Sequence, residues 1–263
     1  MVKKCFTINQ FRTRNEINSY KILLEKNIFQ GIEIFYPYDT GDEGFINYTK
    51  GIKELLKYNP EVVMHLPYGP KNDLCNPLKY EASIKRIKNA IDYSKEFNIK
   101  KFTLHLGYNH NDNREEELLH IKNILKDLCQ YTSGTLMIEN MPGIKEIGYS
   151  PKEILDIITS VNQHNLAFIL DTGHANLSEY SINEYINTLR KYLMHIHVSD
   201  NNGKRDEHAR IGTGNIDFVS FVGELKSYNE LYCFEILYHD VNDLIVYSND
   251  FDKIIKEVYD EKN

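Results

Sequence analysis

Apolar and polar positions follow two rhythms along these 263 residues. Short, nearly continuous apolar runs recur, and longer stretches between them place an apolar residue every third or fourth position. The runs are Lys4–Ile8, Gly31–Phe35, Val62–His65, Phe102–Leu106, Leu136–Glu139, Ala167–Leu170, Leu193–Val198 and Tyr232–Leu237. Continuous runs of this length predict strands covered on both faces. The intervening stretches have helical period: Ile84, Ile87, Ile91 and Ser94 share one stripe, and Leu118, Ile121, Leu125 and Leu128 another. Ile154, Ile157, Ile158 and Val161 repeat the pattern, as do Phe251, Ile254, Ile255 and Val258. Ser150-Pro151-Lys152-Glu153 predicts a helix start, with a capping serine, proline at the first helical position and glutamate at the third.

Eight strand–helix units in a chain of 263 residues predict a (β/α)8 TIM barrel, and nothing divides the chain, so residues 1–263 read as a single domain. The competing α/β solution is a doubly wound open sheet. Such a sheet would carry a glycine-rich phosphate turn after its first strand, where Ile8-Asn9-Gln10-Phe11 stands instead.

The chemistry lies at the ends of the strands. The third ends at His65 and the fourth at His105; the fifth ends at Glu139. The sixth ends at Asp171, with His174 three residues on. The seventh carries His197 and runs into a polar loop with Asp206 and His208, and the eighth carries Glu235. In a barrel all these positions face one mouth. A charged residue inside an apolar strand is costly unless paired or coordinated. Mixed nitrogen and oxygen donors without cysteine suit Zn²⁺, Mn²⁺, Fe²⁺ or Co²⁺.

As a set, HLPYG, FTLHLG, IEN, LDTGHAN, HVSDN-(x)3-RDEH-(x)3-GTGNID and FEI resemble the xylose-isomerase-like TIM barrels. That superfamily joins sugar and sugar-phosphate isomerases and epimerases to apurinic-site endonucleases of the endonuclease IV type (AP endonuclease family 2). The resemblance to the endonuclease branch implies three metals. His65, His105 and Glu139 would hold the first; Glu139 would bridge to a second with Asp171, His197 and Glu235; His174, Asp206 and His208 would hold a third. In the epimerase branch one metal suffices, on Glu139, Asp171, His197 and Glu235, and the two glutamates also move protons, with His174 as a relay. Two departures disfavour DNA cleavage: the endonuclease branch opens with a histidine-containing, glycine-rich turn, and its loop after the second strand is basic. Here that loop is FYPYDTGDEGF, with three acidic residues. The expectation is therefore a metal-dependent sugar or sugar-phosphate isomerase or epimerase holding one to three divalent ions, Zn²⁺ or Mn²⁺. The alternative is a multinuclear zinc phosphodiesterase acting on abasic DNA.

Arg205 and Arg210 flank the last loop ligands and are candidates to bind substrate phosphate or hydroxyls. Tyr68, with Tyr36, Tyr38 and Phe45, is a candidate wall of a sugar site. His195, a layer below His197, is expected to be a hydrogen-bonded core histidine. The net charge of −7 gives no general attraction for nucleic acid or anionic membrane, which leaves a small sugar as the favoured partner. No window has the apolar length of a membrane span. Four scattered cysteines read as reduced thiols of a cytoplasmic protein, and the N-terminus reads as a strand rather than a signal peptide. A homo-oligomer is left open.

Overall fold

In a computed structural model, which describes residues 2–11, 13–110 and 113–260, the eight apolar runs are strands that close on themselves. They are β1 (Lys3–Ile8), β2 (Gly31–Phe35), β3 (Glu61–His65), β4 (Lys101–Leu104), β5 (Thr135–Glu139), β6 (Leu166–Asp171), β7 (Leu193–Val198) and β8 (Leu231–Phe234). Every neighbouring pair is parallel and the ring closes between β8 and β1, with Cys233 opposite Cys5. The helices are α1 (Arg14–Glu25), α2 (Gly41–Leu55), α3 (Tyr80–Ser94), α4 (Arg114–Tyr131), α5 (Pro151–Val161), α6 (Thr172–Leu177), α7 (Ile182–Leu189), α8 (Phe218–Glu224) and α9 (Asp243–Asp260). The architecture is a TIM barrel.

The helical stripes face the strands. Ile154, Ile157, Ile158 and Val161 are all buried in α5, and each such side chain contributes about 1.5–3 kcal/mol of burial. Ser150 caps α5 as expected: its Oγ accepts from the Glu153 N–H at 3.2 Å. The Glu153 carboxylate does not return to the cap. It accepts from Gly148 N–H at 2.7 Å and pairs with Arg114 of α4, so the same residue ties two connections to the barrel.

Two strands are shorter than the sequence predicts. β4 ends at Leu104 and β8 at Phe234, so His105 and Glu235 stand one residue past the ladder rather than inside it. At Glu235 the cause is local: its N–H bonds back to the Cys233 carbonyl at 3.0 Å, which turns the backbone away from β1.

Inside the barrel the side chains form layers. At the N-terminal end, Lys101 bridges Glu61 at 2.7 Å and Glu230 at 2.6 Å, and Lys3 joins Glu61 at 3.1 Å. Above it lies a small apolar cluster of Cys5, Val63, Met137, Ala167, Ile169, Leu231 and Cys233, separate from the larger core between strands and helices. Glu33, Thr103 and His195 share this depth as a hydrogen-bonded group. The C-terminal layer is histidine and carboxylate. A register shift opposite Phe168/Ile169 sets His195 opposite Ile169 in the middle layer and His197 opposite Asp171 in the C-terminal one. All four cysteines are free and buried. Among the described residues no helix is long and apolar enough to cross a membrane.

Candidate metal centre

Strand alternation decides which side chains reach the mouth. His65, Glu139, Asp171 and His197 end or nearly end their strands on the inward phase, and His105 and Glu235 follow immediately after β4 and β8. Glu139 is the hub, almost fully buried. One oxygen, Oε2, meets His105 Nε2 at 2.8 Å and His65 Nε2 at 3.7 Å; the other, Oε1, meets His197 Nδ1 at 3.1 Å. His197 Nδ1 also faces Glu235 Oε2 at 3.0 Å and Asp171 Oδ2 at 3.8 Å. Two donor groups result, sharing Glu139: His65, His105 and Glu139, then Glu139, Asp171, His197 and Glu235, each with its donor atoms within 4.8 Å of one another.

A third group lies beside them. Asp171 caps α6, its Oδ1 accepting from the His174 N–H at 2.6 Å, and this six-residue helix carries His174 back over the mouth. Asp206 Oδ2 lies 3.3 Å from His174 Nε2 and 2.9 Å from His208 Nε2. The loop that brings Asp206 and His208 there is organised by Asp200, which is fully buried. Its carboxylate accepts from the N–H groups of Gly212 at 2.9 Å and Gly214 at 2.8 Å, while its backbone exchanges two hydrogen bonds with Ala209. Gly214 admits no side chain, since a Cβ there would collide with the Asn201 carbonyl, and Gly212 has φ +80°. His208 itself is held at φ +43°, a strained conformation for a residue with a side chain.

The imidazoles are oriented from behind. Nδ1 of His65, His174 and His208 each donates to a backbone carbonyl, of Leu66, Asn140 and Glu235, at 2.9 Å. Their Nε2 atoms are left facing carboxylates. With the outer nitrogen so anchored, losing the inner proton leaves a lone pair pointing inward, as in metal-binding histidines. Asn140 also clamps β6 to β5, accepting from Asp171 N–H at 2.7 Å and donating to its carbonyl at 3.0 Å.

The electrostatics call for cations. Among the described residues no Lys or Arg pairs with Glu139, Asp171, Asp206 or Glu235; every ion-pair partner is a histidine. Burial, then Glu139 and Glu235, push the Asp171 carboxyl up to about 6, against the pull of His174. His208 is pushed up to about 9: burial works against its charge, but Asp206, Glu235 and Asp171 outweigh it. Burial holds His105 below its ordinary value, so its contact with Glu139 is a neutral N–H donating to a carboxylate. Asp171 Oδ2 is buried and has no hydrogen-bond partner. An orphaned carboxylate oxygen among inward imidazole nitrogens fits a divalent transition metal.

The other candidates fall outside this group. The Arg205 Nε donates to Glu207 at 2.9 Å on an exposed loop. Arg210 is paired with Asp250 and lies over the Tyr247 ring. Tyr68 stands at the mouth, its ring 4.7 Å from that of His65 and 5.1 Å from that of His105. Tyr36 and Phe45 pack with Tyr93 instead. His195 is the expected core histidine, its Nε2 2.9 Å from Glu33. Three participants escaped the sequence reading: Glu33, Asn140 and Asp200. Glu33 carried a signal, a lone carboxylate in the middle of GIEIF.

Residues 24–256 match the family described as xylose isomerase-like TIM barrel. The chain belongs to that family. Among curated relatives of this TIM-barrel family, the uncharacterised protein MJ1311 of Methanocaldococcus jannaschii is 30% identical over 196 residues, 67% of this chain and 65% of that protein. A protein named probable endonuclease 4, of Mycoplasmopsis pulmonis, is 29% identical over 64% of this chain and 65% of its own length. The chain thus spans just under two thirds of both. A solved structure of a D-tagatose 3-epimerase-like protein superposes with TM-score 0.80 at 21% identity, covering 98% of this chain and 99% of that one. L-ribulose 3-epimerase does so with TM-score 0.80 at 15% identity, over 100% and 97%. At such identities the structures testify to the fold. The chain is thus similar in sequence to a protein named as an endonuclease and in fold to proteins named as sugar epimerases.

Proposed function

We propose that this protein is a metal-dependent phosphodiester hydrolase with three divalent ions at the barrel mouth. The observation that carries this reading is the third group, Asp206 between His174 and His208 at 3.3 and 2.9 Å, assembled beside the two groups that share Glu139. The sequence alone placed proton transfer on a sugar first. That chemistry needs one ion on Glu139, Asp171, His197 and Glu235, and it leaves His65, His105, Asp206 and His208 without a task. His65, His105 and Glu139 would hold one ion, Glu139, Asp171, His197 and Glu235 the second, and His174, Asp206 and His208 the third. Zn²⁺ or Mn²⁺ there supplies Lewis acidity and water of lowered pKa. The chain's own part is positioning: Glu139 presents one oxygen to each inner group, and carbonyl-anchored imidazoles keep their lone pairs inward. Glu235, with a side chain 17% exposed, is the inner carboxylate open to the cavity, where it can hold a proton during the reaction. The curated relatives named probable endonuclease 4 support the same reading.

A second reading, isomerisation or epimerisation of a sugar by Glu139 and Glu235, is favoured by the size of the cavity over the centre. It measures about 320 Å³, walled by Tyr68, Asn72, Tyr108 and Met141, and suits a small ligand. The acidic start of α2, with Asp42 and Glu43, also repels duplex DNA at this side of the mouth. One pair of assays separates the two. The zinc- or manganese-loaded protein should cleave bis(4-nitrophenyl) phosphate or an abasic-site duplex, and a chelator should stop it. Deuterium incorporation beside the carbonyl of ketoses or their phosphates in D₂O, with no diester cleaved, would replace the hydrolase by the epimerase.

A further inference from the structure

Beneath the ligand layer Glu33 sits fully buried in the middle of β2, with no access to the cavity. A carboxylate there costs several kcal/mol unless it is fully hydrogen-bonded. It is: Oε1 accepts from Thr103 Oγ1 at 2.7 Å, and Oε2 accepts from His195 Nε2 at 2.9 Å and His197 Nε2 at 2.8 Å. Three donors from β4 and β7 therefore converge on one acceptor in β2, across the barrel interior.

His197 turns Nδ1 toward three carboxylates of the donor groups and Nε2 down toward Glu33. Nδ1 faces Glu235 at 3.0 Å, Glu139 at 3.1 Å and Asp171 at 3.8 Å. His65, His174 and His208 are anchored through Nδ1 to backbone carbonyls. His197 is anchored at the opposite nitrogen, and by a charged side chain. We infer that Glu33 is a positioning residue of the metal centre: as an acceptor-only group it keeps the His197 proton on Nε2, so that Nδ1 is the metal ligand, and its charge strengthens that ligand. His195 is the second brace. Its Nδ1 is buried without a partner, so its one proton belongs on Nε2, where it fixes the carboxylate between two rings. Glu33 acts only through His197 and touches no substrate. The inference rests on the metal-centre reading and goes beyond it: Glu33, His195, His197 and Cys233 also bring donor atoms within 4.8 Å of one another, and Glu33 is assigned there to orienting His197 rather than to holding an ion.

The test uses zinc and cadmium alone. In ¹⁵N-histidine protein loaded with ¹¹³Cd, the His197 ring should show a cadmium coupling on Nδ1 and a proton on Nε2. Glu33→Gln keeps the volume and one acceptor oxygen but removes the charge. It should weaken zinc at the group of Glu139, Asp171, His197 and Glu235 by about 10- to 100-fold, while the chelated variant melts near the chelated wild type. Glu33→Asp, which restores charge at a shorter reach, should recover part of the loss. Cadmium coupling to Nε2 of His197 in the wild-type protein would overturn the inference even if no variant folds. Unchanged zinc affinity in Glu33→Gln would overturn it too, leaving the centre intact. A wild-type protein that binds no metal would remove the centre itself and this inference with it.

Discussion

His197 shows how much depends on single side chains here. Its Nδ1 stands among three carboxylates, and Asp171 Oδ2 beside it has no partner. Asp171→Ala or His197→Ala should therefore empty the inner group shared by both functional readings. His208→Ala should spare that group and cost only the outer ion, which a metal count on each dialysed variant resolves. Equal loss of all metal in the three variants would contradict the division into groups. The Asp206–His208 pair adds a pH dependence. In chelated protein His208 titrates at about 9, above its unfolded value of about 6.5. Its stabilisation is thus complete below about pH 6.5 and lost as pH rises through 9, whereas that of Asp206, held low by His174 and His208 against burial, is lost only in acid. The melting temperature in EDTA should fall between pH 6.5 and 9, and His208→Ala should flatten part of that fall. With zinc bound the slope reverses, because the ligand imidazoles must be neutral.

The elements that carry these residues were legible to different degrees. Apolar runs and helical stripes located all eight strands, because both rhythms come from burial, which sequence reports directly. Strand ends were less so: His105 and Glu235 lie beyond their ladders, and at Glu235 a backbone hydrogen bond to Cys233, not hydrophobicity, ends the strand. The candidate ligands were visible as charges at strand ends. What holds them was not, because Asn140, Asp200 and Glu33 act across elements that sequence cannot bring together. Asp200 is the clearest case, gathering the loop of Asp206 and His208 onto one carboxylate. Asp200→Ala leaves the part-buried N–H groups of Gly212 and Gly214 without their acceptor, at about 1 kcal/mol each. Thermal unfolding should show a drop of several degrees, with the outer ion lost before the inner ones. An unchanged melting temperature would mean that water replaces the carboxylate and that the loop does not depend on Asp200.

At the scale of the whole molecule the barrel is polarised. Its N-terminal end is closed by the Lys3–Glu61–Lys101–Glu230 ion network, its middle packs a small apolar cluster beside the buried Glu33–Thr103–His195 group, and its mouth gathers carboxylates whose ion-pair partners are histidines. The family resemblance drawn from the strand-end motifs holds along residues 24–256, and it carries both chemistries, so the fold does not choose between them. The number of ions does. A ligand bound only by the folded state must stabilise it, so zinc or manganese should raise the melting temperature as the groups fill. The most direct measurement is elemental analysis of zinc-loaded protein after exhaustive dialysis, read beside diester cleavage on the same sample. The account predicts about three ions per chain, with cleavage lost as the outer ion is removed. One ion per chain without diester cleavage would contradict it.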